Sequence, residues 1–135
     1  MPFSCFQKYG LHDCTVDTLW IEKNKLVLQF NTGVYELDST GTEKHKTSPC
    51  KMFISLHNLN ENKIWEHVQI TRTRKSKIRE IPYNKFVETV AKQKMDISIN
   101  FFSPFNNTVL LKGYMQDGKY DIVISETISI ELVFD

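Results

Sequence analysis

The sequence predicts a mainly β protein of the α+β kind. It should be an antiparallel β-sandwich or partly open barrel of about nine strands, with one amphipathic helix over 83–93. Three observations carry that expectation. Apolar and polar residues alternate over most of the chain, the period-2 writing of half-buried strands. Turn dipeptides punctuate it at short intervals, and strands joined by tight turns are antiparallel because parallel neighbours need a long crossover. Only one segment has helical spacing, and one helix cannot cover both faces of a large sheet, so the sheet must fold on itself.

The elements follow in order. Segments 14–22 and 25–30 form a hairpin around Lys23-Asn24, with Leu19, Ile21, Leu26, Leu28 and Phe30 on one face. Asn31-Thr32-Gly33 turns the chain into a short strand, 34–37. Residues 38–49 are polar and read as an exposed loop, after which Cys50, Met52, Ile54 and Leu56 alternate. A loop at 58–62 leads into 64–74, long enough for a full strand, with 77–81 as its partner.

From Tyr83 the apolar residues fall at Tyr83, Phe86, Val87, Val90 and Ala91, the stripe of an amphipathic helix. Pro82 stands where a first helical turn tolerates a missing N–H. Strand writing resumes with Ile97, Ile99 and Phe101, then a turn at 103–107. Segments 109–116 and 119–125 flank Asp117-Gly118, a dipeptide suited to a two-residue type I′ turn. Closing on that turn sets Met115 opposite Tyr120, Gly113 opposite Ile122 and Leu111 opposite Ile124. One face of the pair is then almost wholly apolar. The chain closes on Ile128, Ile130, Leu132 and Phe134 in alternation.

At 135 residues the chain is read as a single domain, 1–135, long enough to bury a real core. With 41% hydrophobic and 24% charged residues it is an ordinary globule rather than a disordered segment. A net charge of +1 excludes a uniformly basic or acidic binder and leaves room for local patches. Cys5, Cys14 and Cys50 are odd in number and widely spaced, which points to neither a disulfide framework nor a zinc knuckle. The amino terminus lacks the basic start and apolar run of a signal peptide. No stretch approaches the ~18 apolar residues of a membrane span. A reduced, cytoplasmic protein is expected.

No catalytic, metal or cofactor motif appears, and four features remain as candidates. His12-Asp13 could orient and activate an imidazole for proton transfer. The dipeptide also resembles the metal pair of the HD phosphohydrolases, which are all-helical and need further ligands. A loop pair that fixes entry into the first strand carries more weight. Arg72, Arg74, Lys75, Lys77 and Arg79 place five cations in eight residues with no acid, enough to engage phosphates or an acidic protein. No aromatic residue is interleaved to stack on bases, which argues against nucleic acid. The plainer reading, a solvated turn that protects a sheet edge, weighs more. Residues 117–135 hold five acids and one lysine, a net of −4, so the surface is expected to be bipolar. His12, His45, His57 and His67 lack ligand spacing with one another or with cysteine, so no metal is expected. Trp20, Trp65, Tyr35 and Tyr114 could form a recognition surface, although such residues are more often half-buried.

Leu11-His12-Asp13-Cys14-Thr15-Val16, followed by the amphipathic hairpin and the Gly33-Val34-Tyr35 turn, resembles the opening of several small bacterial families of mostly β proteins. Their members begin with an "LHD" and then a strand pair, and the likeness spans roughly the first 35 residues. Some of these families are grouped with immunity proteins of polymorphic or contact-dependent toxin systems. The resemblance implies a cytoplasmic, non-enzymatic protein that binds and blocks a cognate toxin. Immunity proteins against nucleases are often acidic, which this chain is not. Arg72, Arg74, Lys77 and Arg79 would instead suit a toxin with an acidic surface.

The rival reading is a calycin-like barrel that carries a small apolar ligand. The chain departs from that pattern: its helix falls late, and a Gly-x-Trp motif is absent.

Overall fold

The fold is taken from a computed structural model, which describes residues 4–135. The expectation about a signal peptide bears in part on residues 1–3, which lie outside the described residues. In chain order a one-turn helix α1 (Cys5–Lys8) leads to strands β1 (Tyr9–Gly10), β2 (Thr15–Val16), β3 (Thr18–Glu22) and β4 (Lys25–Phe30). Strands β5 (Tyr35–Leu37), β6 (Glu43–Lys46) and β7 (Cys50–Leu56) follow, then a 3-10 segment at Glu61–Glu66. Next come β8 (Val68–Arg74), β9 (Lys77–Glu80) and helix α2 (Tyr83–Gln93). The chain closes with β10 (Met95–Ser103), β11 (Thr108–Met115), β12 (Gly118–Ile124) and β13 (Thr127–Phe134).

Every strand pair is antiparallel, as the tight turns require. A six-stranded sheet runs β2-β10-β11-β12-β8-β9, a four-stranded sheet runs β13-β7-β4-β3, and a small third sheet runs β1-β5-β6. Alternation dictates what each large sheet buries. Cys50, Met52, Ile54 and Leu56 of β7 are buried and the residues between them are not. Val109, Leu111, Gly113 and Met115 of β11 follow the same rule. Both sheets feed one core that includes Phe30, Met52, Ile54, Leu111, Ile122 and Phe86. Among the described residues the sheets do not close into a barrel.

Helix α2 has the expected bounds and buries Phe86 and Val90, with the Phe86 and Tyr120 ring centroids 5.5 Å apart. Its apolar stripe is narrower than expected, because Ala91 is exposed. No helix among the described residues is long and apolar enough to cross a membrane.

The structure corrects several finer expectations. The strand expected over 14–22 breaks at Asp17, whose two halves belong to different large sheets. Asp17 fixes that corner: its N–H donates to the Gln29 carbonyl at 2.9 Å and its carboxylate accepts the Asn31 N–H at 2.8 Å. The loop expected over 38–49 contains β6, whose residues are all exposed, so no alternation betrays it. Its turn is organised by Asp38, whose carboxylate accepts the N–H groups of Thr40 and Thr42. The strand expected over 64–74 starts only at Val68, because its first residues belong to the 3-10 segment.

Ile97, Ile99 and Phe101 do not share a face. A bulge at Ser98 sets Ile97 opposite Gly113 and Ile99 opposite Lys112, turning Ile99 and Phe101 outward at 50% and 54% exposure. Gly113 lets β10 close in here, since a Cβ would lie 2.7 Å from the Asp96 carbonyl oxygen. A second bulge, between Thr127 and Ser129, leaves Ile128 exposed.

The last hairpin keeps the expected apolar face but pairs two residues further along. Gly113 faces Tyr120, Leu111 faces Ile122 and Met115 faces Gly118, so the turn is Gln116-Asp117. A shift of two residues preserves the face. Gly118 drives it: it enters β12 at φ 143°, and a Cβ there would lie 2.7 Å from the Thr73 carbonyl oxygen of β8.

Candidate functional site

The basic run becomes the β8–β9 hairpin, turning on Lys75 and Ser76 at φ 49° and 64°. Positive angles at both central residues make the tight turn that suits a hairpin's twist, here without glycine. Its pairing sets Arg72 directly opposite Arg79 and Arg74 directly opposite Lys77. All four share one side of the hairpin, and alternation makes it the side on which Val68 and Ile70 enter the core. Beyond Ile70 the core ends, so Arg74, Lys77 and Arg79 are exposed. The result is a groove of about 300 Å³ lined by Arg72, Arg74, Lys75, Lys77 and Arg79 alone.

One carboxylate reaches into this array. Arg72 Nη1 donates to Asp117 Oδ2 at 3.2 Å, and the Tyr120 hydroxyl donates to both Asp117 oxygens at 2.8 and 2.9 Å. Burial, reinforced by the Asp117 carboxylate, pushes the Tyr120 phenol up to about 12, so it remains a donor. Arg72 is thereby held against the sheet at the root of the array. Among the described residues, Arg74, Lys75, Lys77 and Arg79 make no ion pair. Like charges opposite each other destabilise a strand pair. The hairpin therefore concentrates uncompensated positive charge at one edge of the six-stranded sheet.

Asp117 and Tyr120 escaped the sequence reading because their partner, Arg72, is 45 residues away from Asp117. Only the β8–β12 pairing, which sets Tyr120 opposite Arg72, joins them. The acids expected to make the surface bipolar divide in two. Asp117 is spent on Arg72 and Asp121 lies 3.7 Å from Lys112, while Glu126, Glu131 and Asp135 stay exposed without a lysine or arginine partner among the described residues.

His12 and Asp13 lie next to β2, at the opposite edge of the same sheet from β9. Asp13 has φ 63°, and this left-handed turn folds the two side chains together, with Nε2 3.3 Å from Oδ2. A strand would have kept them apart. His12 Nδ1 donates to the carbonyl of the bulged Ser98 at 2.9 Å, while Asp13 N–H donates to Ile97 O. The Ser98 bond first, and the Asp13 charge second, raise the proton affinity of the ring. This exposed pair clamps the chain onto the β10 bulge, which is the loop-fixing role.

The other candidates are dispersed. His67 is buried and lies 3.4 Å from the Ser125 carbonyl, and His45 lies 3.2 Å from Glu36. No group of three His, Cys, Asp or Glu among the described residues is placed to hold a metal ion. All three cysteines are buried; burial pushes Cys5 up to about 12 and Cys50 up to about 11, so both stay protonated thiols. Of the four aromatics singled out, Trp65 and Tyr114 are exposed, and Tyr35 and Trp20 are half-buried. No protein-family model, curated protein or solved structure matches the chain.

Proposed function

We propose that this chain is a non-enzymatic binding protein, an immunity protein that neutralises a cognate bacterial toxin in the cytoplasm. The β8–β9 hairpin is its recognition arm. The observation that carries the reading is the groove lined by five cations alone, of which only Arg72 has a carboxylate partner, Asp117. A protein surface that keeps like charges opposed, at some cost to its own stability, is matched to a partner that supplies the missing sign. An acidic protein surface fits better than nucleic acid. The ring nearest the array on its own face, Tyr120, is buried with its hydroxyl committed to Asp117, and the exposed Tyr114 lies on the other face with Thr73, so the cationic groove itself has no aromatic lining for bases to stack on. Blocking a toxin needs no catalytic group, only a rigid surface that covers an active site or substrate path.

The test is co-expression with the toxin-domain product of the adjacent open reading frame. Growth with both, and killing by the toxin alone, is the expected outcome. Reversing Arg74 and Arg79 to Glu should slow association and flatten its dependence on salt. Killing that persists in the presence of the wild-type protein would remove the immunity reading. Association indifferent to the reversals would remove the hairpin from the interface.

A further inference from the structure

The outer strand of the cationic hairpin is also the last strand of its sheet. β9 pairs with β8 alone, and among the described residues no strand lies on its other side. The register fixes which backbone groups face that open side. The Ile81 N–H donates to the Ile70 carbonyl at 2.9 Å, so Ile81 and Ile70 are a hydrogen-bonded pair. Such pairs alternate along an antiparallel ladder, so Arg79–Arg72 and Lys77–Arg74 are bonded pairs, while Ile78–Thr73 and Glu80–Thr71 are not. The N–H and carbonyl groups of Ile78 and Glu80 therefore point away from β8. They present two donors and two acceptors at the spacing of one more strand.

Sheets blunt an open edge with a bulge, a proline, a covering loop or charge. Of these β9 has only charge: its pairing is unbroken, it holds no proline, and all four of its residues are exposed. The charge is also one-sided. Lys77 and Arg79 stand on the groove face, and Ile78, 72% exposed, stands with Glu80 on the other. A second copy of this edge, paired antiparallel, would set cations opposite cations on the groove face, which disfavours self-association. The same arrangement favours a strand that carries carboxylates at those positions.

We infer that β9 takes up an extended acidic segment of a protein partner as an added antiparallel strand, in which two carboxylates flank one apolar residue. The inference rests on the hairpin's role as recognition arm and specifies the shape that the arm accepts. The apolar residue lies opposite Ile78, exchanges both backbone hydrogen bonds with it and covers its side chain. The carboxylates lie opposite Arg79 and Lys77 on the groove face, with Arg72 and Arg74 one strand further in. The residue opposite Glu80 makes the second pair of backbone bonds, and a lysine there answers the Glu80 charge. An acidic segment that is not extended meets the cations but leaves the backbone edge unpaired.

The experiment titrates the isotope-labelled full-length chain with the blocked peptide Thr-Lys-Glu-Val-Glu-Thr, at neutral pH and low salt. Three comparators carry the same charge: the peptide N-methylated at valine, the peptide N-methylated at its first glutamate, and Thr-Lys-Val-Glu-Glu-Thr, whose carboxylates fall on opposite faces. Saturable binding of the parent peptide is expected, with amide shifts in 77–81. Hydrogen exchange should slow at Ile78 and Glu80 and stay unchanged at Arg79, whose N–H is already bonded to β8. Methylation at valine removes the donor to the Ile78 carbonyl and should weaken binding at least about tenfold. Methylation at the first glutamate, whose N–H faces solvent, should be tolerated, and adjacent glutamates should weaken binding several-fold. Ile78→Pro removes an N–H that the β8–β9 ladder does not use, so the hairpin should persist and the peptide should no longer bind. Equal affinity for the parent and the valine-methylated peptide would reduce the contact to charge, overturning the added strand but leaving the recognition arm. No saturable binding of the parent, or shifts away from 77–81, would also overturn it. Toxin co-expression plays no part in this experiment, so the immunity reading and the added strand can fail separately.

Discussion

Two hairpins of the six-stranded sheet share strand direction, tight turns and even a neighbour, yet they use the same side of the sheet in opposite ways. The β11–β12 hairpin fills that side with Leu111, Met115, Tyr120 and Ile122, all buried. The β8–β9 hairpin begins alike, with Val68 and Ile70, and then carries Arg72 and Arg74 opposite Arg79 and Lys77. Alternation is unbroken along β8; what changes is the cover above it. A period of two assigns side chains to a face but says nothing about where the opposing layer ends. Where it ends, the inner face of a sandwich becomes an outward surface, and here that surface is cationic.

The contrast can be broken most severely in the core. Phe86→Ala, at 1% exposure against Tyr120, should lower stability by ~3–5 kcal/mol in urea titration. Ile78→Ala on β9, 72% exposed, should fall within about 0.5 kcal/mol of wild type. Near-equal effects would mean that α2 does not close the core as described.

The two turns give the next largest effects, of opposite sign. Gly118→Ala drives a Cβ against the Thr73 carbonyl at a backbone angle that side chains resist, and should cost ~1–3 kcal/mol. Ser76→Gly relieves a left-handed residue and should stabilise by about 0.5–1 kcal/mol. Both are read from urea midpoints. Arg79→Glu comes third: it replaces a like-charge pair with an opposite one across from Arg72, and should stabilise by ~0.2–1 kcal/mol.

The smallest effect belongs to His12. Its folded-state proton affinity is raised above the ordinary 6.5, so the protonated ring favours the folded state. That stabilisation is fully present below pH 6.5 and is lost as pH climbs through the raised value. Titrating the ring by NMR should place it above 6.5, and Asp13→Asn should bring it only part of the way back, since the Ser98 bond remains. A ring that titrates below its ordinary value would contradict the clamp.

These effects separate what local pattern could show from what it could not. Alternation gave the buried faces of β7 and β11–β12, and 3.6-residue spacing gave both bounds of α2, because each signal is complete within a dozen residues. The Ser98 bulge was illegible: Ile97, Ile99 and Phe101 look continuous, and only Gly113 across the strand gap explains the flip. β6 was missed because a strand exposed on both faces has no pattern. The cations of β8–β9 were visible as a run, but their root in Asp117 and Tyr120 depends on a distant pairing.

The most direct test asks whether the hairpin cations support the fold or are held in reserve. Thermal unfolding of the wild type and of the Arg74→Glu, Arg79→Glu double variant is compared at low salt, with and without poly-glutamate as an acidic probe. The expected result is a variant at least as stable as the wild type alone, while poly-glutamate raises the midpoint of the wild type only and loses that effect at high salt. A variant less stable than the wild type, together with a wild type indifferent to poly-glutamate, would make the cations structural and contradict the recognition arm.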